Sequence, residues 1–134
     1  MALDLSVTNL PEIHESGYEF ELVHPGTKEP LGAFVKVRGD MSKVVKAHYR
    51  KRFNEVQQQA KVAKRRNQEV ETTLDEYEDL AVQDAVVRVI GWKGIQEEGK
   101  DVAFSTESGE RILRAHPWIR EQIQEAATEV VNFQ

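Results

Sequence analysis

The chain has no cysteine, which excludes disulfides, thiolate nucleophiles and cysteine-ligated metals. Aromatic residues are scarce, at 7%, so the expected core is mainly aliphatic. No stretch approaches the roughly 20 consecutive apolar residues that a membrane-spanning helix requires. The N-terminal stretch carries Asp4, Glu12, Glu15 and Glu19 without an apolar run, unlike a secretory signal. The expectation is a cytoplasmic protein with no membrane partner. What remains is 134 residues, 40% hydrophobic and 31% charged, the size and make-up of one globular domain. The net charge of −5 argues against a dedicated nucleic-acid binder but leaves room for a local basic face.

Catalytic patterns are missing too. His14, His24, His48 and His116 are scattered, and no two stand four apart as in a helical metal motif. His48 falls on the apolar face of a long helical pattern and reads as a core or interface residue. The carboxylates of Asp75, Glu76, Glu78 and Asp79 lie on one helix turn, whereas a glycosidase needs two converging across a cleft. Ser105 and Ser108 lack the glycine-flanked nucleophile elbow. Gly91-Trp92-Lys93-Gly94 lacks the glycine spacing and Lys-Ser/Thr pair of a phosphate loop. No catalytic, cofactor-binding or metal-ligating residue is assigned, and the expectation is a non-enzymatic protein without a cofactor.

The periodicities predict an α+β fold, mostly helical, with about four helices after an N-terminal β-hairpin. Residues 1–17, broken by Pro11 and Gly17, read as a flexible arm or as a segment that docks elsewhere, ahead of a single domain at 18–134. Over 18–39, Tyr18, Phe20 and Leu22 alternate with Glu19, Glu21 and Val23, and Ala33, Val35 and Val37 alternate with Phe34, Lys36 and Arg38. Between them, Pro25, Gly26 and Pro30 mark a turn. The acids of the first strand are placed to face Lys36 and Arg38. A lone hairpin is marginal in water, so it must pack on helices or join another sheet.

A long helix is expected from Asp40 or Ser42 to about Gln68, with Met41, Val45, His48, Phe53, Val56, Ala60 and Ala63 on one face. A second starts at a capping box on Thr73 with Glu76 and runs through a strongly apolar end to Gly91. After a loop at 92–104, Ser105 caps a short third helix over 106–115. Pro117 opens a fourth, striped by Trp118, Ile119, Ile123, Ala126, Ala127 and Val130.

Charge is sharply divided along these helices. Residues 41–66 hold Lys43, Lys46, Arg50, Lys51, Arg52, Lys61, Lys64, Arg65 and Arg66 against the single acid Glu55. Residues 69–84 hold Glu69, Glu71, Asp75, Glu76, Glu78, Asp79 and Asp84 and no base. Three readings fit: the helices pair within one chain, they pair between copies, or the basic helix binds nucleic acid. The last lacks interleaved aromatics, with only Tyr49 and Phe53 present. Under the second reading Arg50, Arg52, Lys64 and Arg65 meet Glu76 and Asp79. The stripe of Trp118, Ile119, Ile123 and Val130, with Trp92, is the candidate face for another protein.

Several segments carry a family resemblance. They are Glu21-Leu22-Val23-His24-Pro25-Gly26-Thr27-Lys28-Glu29-Pro30-Leu31-Gly32, the helix start Gly39-Asp40-Met41-Ser42, and Gly91-Trp92. Further on come Ala103-Phe104-Ser105-Thr106-Glu107-Ser108, His116-Pro117-Trp118-Ile119-Arg120 and Asn132-Phe133. In order and spacing this series resembles the small tail-assembly chaperones of long-tailed bacteriophages and prophages. Ala103 replaces the usual proline, and Gly109 stands where asparagine is common.

The resemblance implies a chaperone that binds the tape-measure protein and keeps it soluble in the host cytoplasm until tail-tube subunits polymerise around it. It also implies self-association, possible contact with the tail-tube protein, and a longer frameshifted form of the chain as a partner. A minor tail subunit retained in the virion, and a small nucleic-acid-binding regulator using residues 43–66, are the alternatives.

Overall fold

A computed structural model describes residues 2–69 and 71–134. The order is α1 (Leu10–Ser16), β1 (Tyr18–Val23), β2 (Pro30–Val37), α2 (Lys43–Arg65), α3 (Leu74–Arg88), β3 (Val89–Lys93), β4 (Gln96–Glu97), β5 (Lys100–Asp101), α4 (Thr106–Ala115) and α5 (Pro117–Thr128), closed by a 3-10 turn at Val130–Asn132. This is the α+β, mostly helical fold with an N-terminal hairpin that the periodicities predict. No helix among the described residues is long and apolar enough to cross a membrane.

The hairpin gains a third strand. β1, β2 and β3 form an antiparallel sheet in that order. Opposed residues share a face, so Tyr18 with Val37, and Phe20 with Val35 and Trp92, look inward. Glu19 lies opposite Lys36 on the outer face, as the alternation predicts, but Glu21 lies opposite Phe34. Arg38 takes no cross-strand acid and turns instead to Glu15 of α1 at 3.3 Å. Helices cover the inner face. Leu22, Val35 and Val37 form one core with Ala85, Val89, Leu113, Ile119, Ile123, Ala127 and Phe133. The edge of β1 is clasped by Gln122 of α5, whose amide donates to the Val23 carbonyl at 2.8 Å and accepts from the Val23 N–H at 3.0 Å.

β3 corrects the expected extent of the second helix. α3 ends at Arg88 and the chain enters the strand at once, so Gly91 is a strand residue opposite Lys36 and not a helix stop. Val82, Ala85, Val86, Val87, Val89 and Ile90 make this run largely apolar, and periodicity cannot separate a buried helix end from a buried strand. Arg38 secures the junction: its N–H donates to the Arg88 carbonyl at 2.6 Å, and its guanidinium donates to the Val87 and Val89 carbonyls at 3.1 and 3.2 Å.

Of the two readings of the segment at 1–17, residues 10–16 follow the docking one. Residues 10–16 form α1, capped by the Asn9 side chain, and its His14 is buried. His14 stacks on Phe133 at 4.6 Å between centroids, and its Nδ1 accepts from the Met41 N–H at 3.1 Å. Gly39 passes so close to the imidazole that any Cβ there would collide with the ring. Glu15 accepts from the Ser42 hydroxyl, and Ser42 also caps α2 through Val45. Pairings this distant in sequence leave no local pattern, and the segment reads as irregular by itself.

The remaining starts follow the sequence closely. Thr73 accepts from the Glu76 N–H, Ser105 forms a capping box with Ser108, and Pro117 sits in the first turn of α5. Within the expected loop at 92–104, β4 and β5 form a small hairpin turned by Glu98 and Gly99, both at positive φ.

Two outcomes test this core. Ile123, with 0% exposure, should cost about 2–5 kcal/mol in urea unfolding when replaced by alanine. Burial of the His14 ring, reinforced by Lys46 and opposed by Asp40 and the Gly39 backbone, lowers its pKa below the usual 6.5. The unfolded chain then takes the proton first. This contribution to stability is complete above about pH 6.5 and is lost as pH falls through the depressed folded value. Melting temperature should therefore drop between pH 7 and 5, and His14→Phe, which keeps an aromatic ring on Phe133, should flatten that part of the profile.

Candidate interaction surfaces

α2 and α3 form an antiparallel pair, with α3 packed on α4 and α5 and α2 touching α3 and α1. They meet at a base formed by the start of α2 and the end of α3. Asp84 Oδ1 takes Arg52 at 2.5 Å and His48 Nε2 at 2.9 Å, all three side chains being at most a quarter exposed. Arg88, buried, reaches Asp40 at 2.7 Å and lies 5.8 Å from the Tyr49 ring. Beyond the base the helices part around a cleft of about 330 Å³ whose walls include Val56 and Glu55 on α2 and Leu80 and Glu76 on α3.

This geometry divides the charged residues singled out above. Arg52 pairs within the chain, and Asp79 pairs with Arg114 of α4 at 2.5 Å. Arg50, Lys64, Arg65 and Glu76 are exposed, and among the described residues they form no ion pair. The helix stripe also divides. Val45 is buried, but Phe53 is 62% exposed and Val56 51% exposed, so the expected apolar face of α2 is core only at its start.

The stripe on α5 is different. Ile119 and Ile123 are buried in the core and cannot contact a partner in the folded chain, which corrects their assignment as a client-binding face. A helix lying on a three-stranded sheet spends its apolar stripe on that sheet. Val130, beyond the end of α5, is 71% exposed and stands apart from that core. Trp92 plugs the core: its indole N–H donates to the Val102 carbonyl at 2.8 Å, and its ring meets Phe104 edge-on at 4.9 Å.

Of the stripe, Trp118 is the more exposed member of an open site that Ile119 also lines. It is half-buried at the rim of a cleft of about 240 Å³, with Leu22, Leu31, Ala33, Ile95, Ile112 and Ile119 as its apolar lining and Gln96, Glu97 and His116 as its polar lining. The hairpin tip, the end of β3 and the α4–α5 corner build it. Gly94 at φ +81° lets the chain pass against the Gly32 carbonyl where a side chain could not fit. Arg111 holds Glu97 with two hydrogen bonds, at 2.7 and 2.8 Å, and fixes the β4–β5 hairpin on α4. Leu31, 44% exposed, belongs to this site and was hidden within a turn sequence. Its one sequence signal is a leucine between Pro30 and Gly32, where a turn has no need of an apolar side chain.

Among the described residues no group of three or more His, Cys, Asp or Glu side chains gathers as a metal site would require. A family model matches residues 44–134, from α2 to the C-terminal turn, and it is that of the YdaY prophage protein. The chain thus belongs to a class of proteins encoded by integrated phages. Within that class it is a member of the YdaY prophage protein family. No curated protein and no solved structure matches it.

The Arg52–Asp84–His48 cluster sets how α2 leaves the body. Asp84→Asn should cost about 1.5–3 kcal/mol in urea unfolding, the range for hydrogen bonds to charged groups. Arg50→Gln, on the exposed side of the same helix, should change stability by less than about 0.5 kcal/mol.

Proposed function

We propose that the chain is a tail-assembly chaperone, a non-enzymatic protein that holds the tape-measure protein of its phage soluble before the tail tube forms. The observation that carries this reading is the apolar cleft at Trp118. Its lining is mainly apolar with a few polar groups, and so suits a short apolar segment of an extended or helical client. A long client needs many weak contacts of this type rather than one deep pocket. Membership in a prophage family and the series of tail-protein segments through His116-Pro117-Trp118 support the same assignment. The client site is then Trp118 with Leu31 and Ile95, not the buried Ile119 and Ile123.

Co-expression with the tape-measure protein encoded downstream, followed by solubility and pull-down assays, tests the proposal. The client should become soluble and co-purify. Leu31→Asp and Trp118→Ala should each cut recovery at least about tenfold, consistent with loss of one apolar anchor. Leu31→Asp should leave the melting curve unchanged, because its side chain is not part of the core. Mass spectrometry of purified particles should find the chain absent. A client that stays insoluble, together with the chain inside the virion, would favour a minor tail subunit.

A further inference from the structure

Nine consecutive residues of α2, 53–61, are exposed. A helix turns once every 3.6 residues, so more than two full turns present every side to water. Most helical stability in proteins comes from packing of an apolar face, which these turns lack within the chain. Its neighbour across the chain is the start of α3, and the cleft of about 330 Å³ holds the two apart.

The apolar side chains on this arm are ordered, Phe53, Val56 and Ala60 exposed and Ala63 partly so. Phe53, Val56, Ala60 and Ala63 recur at spacings of three and four, the a and d positions of two heptads. On α3, Leu74, Tyr77 and Ala81 repeat the pattern, with Leu74 86% and Tyr77 62% exposed. Helix-dipole effects account for charges in the last turn of α2 and the first turn of α3, but not for an apolar seam beside them.

Charge indicates what covers the seam. The outer end of α2 carries Lys61, Lys64, Arg65 and Arg66, and none of them forms an ion pair among the described residues. The outer end of α3 carries Asp75 and Glu76, exposed and equally without an ion pair among those residues. One chain therefore offers a basic and an acidic surface at the same tip, the requirement for a self-complementary contact about a two-fold axis.

We propose that the α2–α3 arm is a dimerisation device. Two copies place their arms side by side about a two-fold axis running along the arm. Each α2 lies antiparallel to the α3 of the other copy, and the four helices bury Phe53, Val56, Leu74 and Tyr77. Lys61, Lys64 and Arg65 of each copy face Asp75 and Glu76 of the other. The dimer does not depend on the cleft at Trp118, which is lined by none of these residues.

Charge exchange between copies tests it on the full chain. Sedimentation velocity should show a dimer at tens of micromolar protein. Variant one, Lys61→Glu/Lys64→Glu/Arg65→Glu, and variant two, Asp75→Lys/Glu76→Lys, should each shift at least tenfold toward monomer. Mixed in equal amounts they should recover a heterodimer, seen by a mass tag on one of them. Pairing inside one chain could not produce that recovery. All of the substituted side chains are exposed, and unchanged circular dichroism confirms that the fold is kept. Phe53→Glu/Val56→Glu should remain monomeric in every mixture.

A monomeric wild-type chain at about 100 μM would overturn the proposal. So would two folded variants that fail to recover together, or a ladder of trimers and higher species, which marks a head-to-tail contact instead. Client recovery in the co-expression assay is read separately, since Leu31→Asp leaves the arm intact.

Discussion

β2 is the member on which the rest of the structure depends. It is the central strand, paired on both sides, and Val35 and Val37 on its inner face are completely buried. Remove its alternation and the hairpin loses its partner in β3 while α5 loses the surface on which Ile119 and Ile123 lie. Its last turn also supplies Arg38, which binds the carbonyls where α3 becomes β3, and Gly39, which makes room for the His14 ring. Burial of apolar surface gives the sheet its cohesion. The hydrogen bonds at its end fix where the helices leave it.

Local chemistry made much of this fold legible in advance. The hairpin was readable because alternation with a period of two is hard to confuse with anything else over Tyr18–Val23 and Pro30–Val37. Helix starts at Ser42, Thr73, Ser105 and Pro117 were readable because a cap needs only residues two or three positions away. What was not readable depended on partners distant in sequence. α1 is held by Phe133, Met41 and Ser42, and β3 exists only because β2 has a free edge to offer it.

The binding surfaces were less legible for a related reason. An apolar stripe states that a face is covered, but not whether the chain's own sheet or another molecule covers it. Ile119 and Ile123 are covered by the chain's own core, whereas Phe53 and Val56 are exposed. Leu31 was concealed by its turn. The charge blocks announced themselves, yet only three dimensions separated Arg52 and Asp79, which have partners, from Arg50, Lys64, Arg65 and Glu76.

The absence of any linker between α3 and β3 has a mechanical meaning. A helix of 15 residues is a stiff rod about 22 Å long. With its inner end continuous with a sheet strand, and Arg38 bolting that joint, it has no hinge on which to swing freely. A sideways push on the outer tip becomes torque on β3, and through the ladder on β2 and the wall of the Trp118 cleft. The outer end of α3 is thus joined to the sheet without a flexible link.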